Sequence, residues 1–391
     1  MGIWSGVMIS LIILLLLQLF GVIPKWWYSD VSNDIQQRTS VIDQYIDKFY
    51  WKDDVTDEQL AAGAAKGMVA ALGDKYSTYY TEEEYKEAMN GVNGDYTGIG
   101  VSLRMDQDTK KKTISEVQAG KPADKAGVKA GDILLKIDGK DVSSLSLSET
   151  AALIKGEEGK KVVFTISRTE KDTTVEKEIT VTTEKIVTQS VSHKMLDDKI
   201  GYIQIMKFDK ETVSQYETAL KELKEKNVQA MIVDVRNNGG GSLEACIDIL
   251  DQMLPAGDLI TEQIKNKEGH KYKSTDEKHF DKPVAILING SSASASEVYA
   301  GTMQDRGAAS LVGVTSYGKG IVQSLYSLEK SCGGGLKLTT GEYLLPSGRS
   351  IHGKGLTPDV EVKYNGTSNK LGAEDDNQLA KAKEIILAKL S

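Results

Sequence analysis

The chain has 391 residues with 48 Lys and Arg against 56 Asp and Glu, a formal charge of −8, and therefore holds more than one folded unit, since single cores rarely grow beyond about 250 residues. The acidic balance and the lack of a basic block of five or more residues exclude an electrostatic nucleic-acid footprint. Cys246 and Cys332 form no C-x-x-C pair, and His193, His270, His279 and His352 show no H-E-x-x-H spacing, so neither a zinc cluster nor any other metal site is expected.

In chain order, an uncharged apolar run over 6–24 approaches the roughly 20 residues that cross a bilayer as a helix. Lys25, Trp26, Trp27 and Tyr28 follow as a headgroup-boundary set. No A-x-A-like cleavage site follows the run and no Lys or Arg precedes it, so 1–28 reads as an uncleaved membrane anchor rather than a removed leader. Over 29–92, Ile35, Val41, Ile42, Tyr45, Ile46 and Phe49 recur at helical spacing, and Leu60, Ala64, Met68 and Leu72 repeat it. Thr81 with Glu84 forms a capping box that opens a third helix over 82–90. This helical arm carries enough apolar surface to pair two protomers, so a homodimer is expected.

The texture changes after the polar, Gly-containing stretch 91–96. From 93 to 183 short β-rich runs, 162–167 and 178–183 among them, alternate with Gly, Asp and Lys turns, as in a compact domain of about 90 residues. Gly98, Ile99, Gly100 and Val101 form a turn entering a strand, and such a turn offers N–H groups to a peptide carboxylate. The 147–156 segment supplies a helix to close a groove beside it. The competing reading is a barrel that acts only as a spacer. From 184 to 391, strands at 201–205, 230–235, 283–288 and 310–314 alternate with helices at 212–226, 243–253 and 295–304, and the 373–391 tail contains an amphipathic packing helix. That alternation indicates α/β with a largely parallel sheet and places ligand chemistry at the strand C-terminal ends.

At one such end, 288–307, a buried strand passes through a serine-rich turn straight into a helix. A serine at the helix start, Ser294, would lie beside free N–H groups able to hold a developing oxyanion; equally, these serines would serve as helix caps. Farther on, Lys319 stands between Gly318 and Gly320 at the head of an apolar strand, with Gln323 four residues on. To act as a base Lys319 must be neutral, and lowering an ordinary value of about 10.4 by about three units corresponds to about 4 kcal/mol, within reach of a desolvated lysine. Gly313, Gly318 and Lys319 nearly match a phosphate loop, but Gly320 replaces the required Ser or Thr. The 234–241 segment, with Gly239, Gly240 and Gly241 after an apolar strand, supplies either a further oxyanion N–H or a tight turn. Arg236 within it is expected to pair with Asp234 or another buried carboxylate, and Arg168, at the end of the 162–167 strand, to be either a solvated strand end or a link through which an occupied groove shifts its domain and completes the site.

Taken together, these pieces resemble the carboxyl-terminal processing peptidases, or tail-specific proteases, over about 40–365. The resemblance implies a multi-domain α+β chain: a helical N-terminal arm, a β-rich PDZ domain, and an α/β protease core with a mostly parallel sheet. It makes Ser294 the nucleophile, Lys319 its general base, and Gln323 the residue that orients the lysine. Gly240 and Ala295 would form the oxyanion hole, with Gly239 or Gly241 able to replace the former. The PDZ groove, with Gly98, Ile99, Gly100 and Val101, would select protein substrates with apolar C-termini. No cofactor is implied, and the catalytic part is expected outside the cytoplasm on a single-pass anchor.

Overall fold

The computed structural model describes residues 30–390 apart from 94, 107–108, 171–172, 276–278 and 368–370. The expected anchor over 1–28 lies outside the described residues, among which no helix is long and apolar enough to cross a membrane.

The arm begins with α1 (Asp30–Phe49) and α2 (Asp57–Ala70). Helix α2 is opened by reciprocal bonds between Thr56 and Gln59. After β1 (Thr78–Tyr80), α3 (Glu82–Asn93) starts at the expected box: the Thr81 N–H donates to Glu84 (2.9 Å) and the Glu84 N–H to Thr81 (3.3 Å). The apolar positions of α1 do lie on helical spacing, but they face outward, with Ile42, Tyr45 and Phe49 59%, 63% and 64% exposed.

The β-rich unit comprises β2 (Asp95–Gly98), β3 (Val101–Met105), β4 (Lys112–Val117), α4 (Pro122–Lys125), β5 (Ile133–Ile137), β6 (Lys140–Asp141), α5 (Leu147–Ile154), β7 (Lys161–Glu170), β8 (Thr173–Thr182) and β9 (Glu184–Val187). Its antiparallel sheet runs β3-β4-β5-β7-β8, with β6 on β5. Alternate residues of β7, Val162, Phe164 and Ile166, enter its core, as a sheet with one solvated face requires. The entering strand β2 and the leaving strand β9 pair antiparallel, so the unit is held by a two-stranded stem.

The core follows with β10 (Val191–Met195), β11 (Ile200–Ile205), α6 (Lys210–Glu225), β12 (Ala230–Asp234), α7 (Leu243–Met253), β13 (Gly257–Ile264), β14 (His270–Ser274), β15 (Val284–Ile288), α8 (Ala295–Asp305), β16 (Ala309–Gly313), β17 (Ile321–Ser327), β18 (Gly335–Leu344), β19 (Val360–Glu361) and α9 (Asn377–Leu390). Its main sheet, β10-β11-β12-β15-β16-β19, is parallel except for β10. Every residue of β12 and β15 is buried, because helices cover both faces of the sheet: residues of α6, α7 and α8 join the core on one side, and Leu379, Ala382 and Ile386 of α9 join the core on the other. Such doubly covered strands read as unbroken apolar runs. A second, antiparallel sheet, β1-β18-β13-β14 with β17 on β18, joins the arm to the core.

Candidate active site

At the C-terminal end of β15 the turn into α8 is tied to the turn after β12. Ser292 donates its hydroxyl to the Val235 carbonyl (2.8 Å) and Ser296 to that of Asn238 (2.9 Å). Ser294, between them, has φ 56° and ψ −119°, a sparsely populated conformation that costs on the order of 1–3 kcal/mol and is held only where the surroundings over-determine it. It does not cap α8 with its hydroxyl. Its carbonyl accepts the N–H groups of Glu297 (2.8 Å) and Val298 (2.9 Å), leaving the side chain for other work. Ser294 is 7% exposed and lies near the Tyr343 phenol, which burial pushes up to about 12 against the smaller lowering influence of Ser294.

The glycine turn packs on this serine. A methyl group on Gly240 (φ 101°) would stand 2.7 Å from the Ala293 carbonyl oxygen and 2.9 Å from Ser294 Cβ, so no side chain fits. The Gly240 N–H, expected as an oxyanion donor, is given to Asn238 Oδ1 (2.9 Å), because that side chain folds back under its own turn. The N–H groups of Gly239, Gly241 and Ala295 have no hydrogen-bond partner among the described residues.

Glu297 joins this half of the site to the next. Its buried carboxylate accepts at Oε2 the N–H of Ser294 (2.9 Å) and of Lys319 (2.8 Å), and at Oε1 the N–H of Gly318 (2.7 Å) and the Ser316 hydroxyl. One oxygen atom thus holds the serine and lysine backbones within two hydrogen-bond lengths of each other. No sequence motif marks Glu297 for joining the two halves, since three of its four donors come from a segment about one helix and one strand later. The same bonds dispose of the phosphate-loop likeness, because the Gly318 and Lys319 N–H groups point at a carboxylate and β17 follows.

The Lys319 side chain is half-buried and held below the ordinary lysine value, by desolvation first and then by Lys337. Its Nζ lies 4.8 Å from the centre of the Tyr76 ring and makes no hydrogen bond or ion pair among the described residues. A ring face favours the charged amine by about 0.5–2 kcal/mol, whereas burial opposes it and is the first cause of the lowered value. Gln323, expected beside the lysine, turns its amide to the Ile321 carbonyl (3.3 Å). The β-bulge between Val322 and Gln323 breaks the face-sharing that regular spacing predicts.

In the β-rich unit, Gly98, Ile99, Gly100 and Val101 line one wall of a groove of about 330 Å³, and Leu147, Ala151 and Ile154 of α5 line the other. Lys155 at its edge pairs with Glu87 of α3. Arg168 is not a solvated strand end: its side chain is 11% exposed and grips Asp132 with two bonds (2.6 and 2.7 Å).

Comparison with known proteins agrees with this architecture. The description Peptidase family S41 matches residues 199–362, and PDZ domain matches residues 113–168. A carboxy-terminal-processing protease of Bartonella bacilliformis is 34% identical over 335 residues, covering 82% of this chain and 74% of that protein. A probable CtpA-like serine protease of Staphylococcus aureus is 32% identical over 342 residues, covering 84% and 67%. Among solved structures, the photosystem II D1 C-terminal processing protease shares the fold, with a TM-score of 0.50 at 24% identity over 86% of this chain and 94% of that one. A putative S41 protease from Bacteroides fragilis does so with a TM-score of 0.52 at 16% identity, over 88% and 92%. The chain therefore belongs to peptidase family S41, as a serine-type C-terminal processing protease that carries a PDZ domain.

Proposed function

We propose that the chain hydrolyses peptide bonds of proteins captured by their C-terminal tails, with Ser294 as nucleophile and Lys319 as general base. The observation that carries this reading is the shared Glu297 oxygen, which draws a strained, uncapped serine and a half-buried lysine to one place. Neutral Lys319 takes the Ser294 proton, the serine oxygen attacks the peptide carbonyl, and the resulting oxyanion is received by the Ala295 N–H and a glycine N–H of the facing turn. Gly240 serves in that role only on giving up Asn238; Gly241 has its N–H to hand. The protonated lysine returns its proton to the departing amine, and water then releases the acyl group. Gln323 would orient Lys319 once its amide leaves the Ile321 carbonyl. The apolar walls of the PDZ groove suit an apolar tail added as a strand beside β3.

A serine-directed phosphonate should form one covalent adduct, on Ser294, and Lys319→Ala should slow it at least a hundredfold at pH 7. An adduct elsewhere, or an unchanged rate in Lys319→Ala, would sink the dyad. We also assign the apolar run at 6–24 to a single-pass membrane anchor with the protease outside the cytoplasm, and the outward face of α1 to pairing of two copies. The full chain should then partition into membranes and residues 29–391 should sediment as a dimer. A soluble full chain, or a monomeric mass, would remove the corresponding assignment.

A further inference from the structure

The arm reaches the lysine. Asp74 accepts the Ser77 hydroxyl (2.6 Å) and the Tyr76 N–H (3.0 Å), and Ser77 Oγ accepts the Thr339 N–H of β18 (3.0 Å). Strand β1 then runs antiparallel to β18, Thr78 opposite Lys337 and Tyr80 opposite Gly335. Held in this way, Tyr76 sets its ring 4.8 Å from Lys319 Nζ. Its neighbour Lys75 donates to the Tyr317 hydroxyl (3.0 Å) and lies 4.9 Å from the centre of the Tyr76 ring and 5.4 Å from that of Tyr317. Both tyrosines are thereby fixed beside the Gly318–Lys319 turn.

We propose that Tyr76 is a positioning residue of the protease centre, its ring seating the Lys319 side chain and shielding it from water. This rests on the dyad reading, and it gives the helical arm a share in the chemistry. The ring exerts two opposed effects, since its face attracts an ammonium while its cover withholds the water that would stabilise the charge. Lys337 of β18 disfavours the charge as well, whereas Tyr317, Asp74 of the arm and Glu297 of α8 favour it. Desolvation is the largest of these influences on Lys319, and on this proposal the Tyr76 ring, 4.8 Å from Nζ, supplies part of that cover.

The test is kcat/KM against pH for the full chain and its Tyr76→Phe, Tyr76→Leu and Tyr76→Ala variants, with Lys319→Ala alongside. Tyr76→Ala hydrates the amine, so its acid limb should rise by about one pH unit and kcat/KM at pH values below that limb should fall about tenfold. Phe keeps ring and cover, and its limb should stay in place. Leu keeps cover without the ring face, and its limb should stay in place or move lower. The pH dependence of Ser294 labelling by the phosphonate reports the same limb without substrate binding. An Ala limb that stays in place or moves lower overturns the proposal, including the case where turnover falls equally at every pH. If Lys319→Ala still turns over substrate, the dyad reading has failed; if it is dead while Tyr76→Ala matches wild type, only the role of Tyr76 is lost.

Discussion

Arg236→Ala should lower the free energy of unfolding by about 3–5 kcal/mol, the usual result of removing one partner from a buried ion cluster. The guanidinium is buried between two carboxylates. It meets Asp234 at Oδ1 (2.9 Å) and Oδ2 (2.5 Å), meets Asp376 at Oδ2 (2.7 Å) and Oδ1 (3.1 Å), and donates to Gln378 (2.8 Å). The Tyr202 hydroxyl adds a bond to Asp234 (2.7 Å). Alanine leaves both acids buried without a cation and cuts the tie between the end of β12 and the start of α9. The loss should also depend on pH. Burial alone would push the Asp376 carboxyl up, but Arg236 and the N–H groups of Gly372 and Leu379 outweigh it and hold the group below its ordinary range. Its contribution is therefore complete above the unfolded value of about 3.9 and is lost as pH falls through the lower folded value. In the variant burial acts with less opposition, so the acid takes up its proton sooner and the gap to wild type narrows on acidification. Denaturant midpoints at pH 7 and pH 4.5 check both statements. A cost under about 1 kcal/mol, or a gap that widens in acid, would show that the cluster is not a unit.

If Ser294 and Lys319 act as proposed, Glu297→Gln should cut kcat by about a hundredfold with little change in KM, the scale of loss that follows from displacing reacting groups by about 1 Å. The carboxylate accepts at both oxygens, and every partner it meets is a donor. An amide has one acceptor oxygen only, so either orientation points an NH₂ group at two of those donors. The Ser294 turn and the Lys319 turn then separate, while the PDZ groove is untouched. Glu297 also favours the charged form of Lys319, so its neutral replacement should move the acid limb of kcat/KM to lower pH. A lost rate with a lowered limb separates misplacement of the dyad from a failure to deprotonate the lysine. Near-normal kcat would show that the two turns are held by other means.

Much of this architecture was legible because local pattern and tertiary setting agree. The core strands are continuous apolar runs separated by helical repeats, and the observed β11-α6-β12-α7 and β15-α8-β16 segments follow them to within a few residues. The Gly98–Val101 turn and the 147–156 helix face each other across a groove for the same reason. The turns at Ser294 and Lys319 stood out in the sequence, and the structure ties both to Glu297. What was not legible depends on distant donors and on side-chain direction. Glu297 sits one turn into a helix, like any capping-box acid, and nothing nearby in the chain announces the three partners at 316–319. Gln323 shares spacing with Lys319 but lies beyond a bulge. Gly240 carries the required conformation, yet its N–H is claimed by the side chain of Asn238. Tyr76 belongs to a segment that reads only as a link between helices, and its placement follows from a strand pairing with residues about 260 positions later in the sequence.

That pairing has a second effect, on solubility. Gly335, Leu336 and Lys337 of β18 have β1 on one side and β17 on the other, so the arm strand closes what would be an open sheet edge. An exposed edge offers unpaired N–H and C=O groups to any extended chain that meets it. A cut in the exposed turn at Leu72 and Gly73, ahead of β1, would loosen the guard from its helices and leave this stretch free to recruit a foreign strand. Nicked protein should therefore clump before it unfolds, its inner sheets still intact.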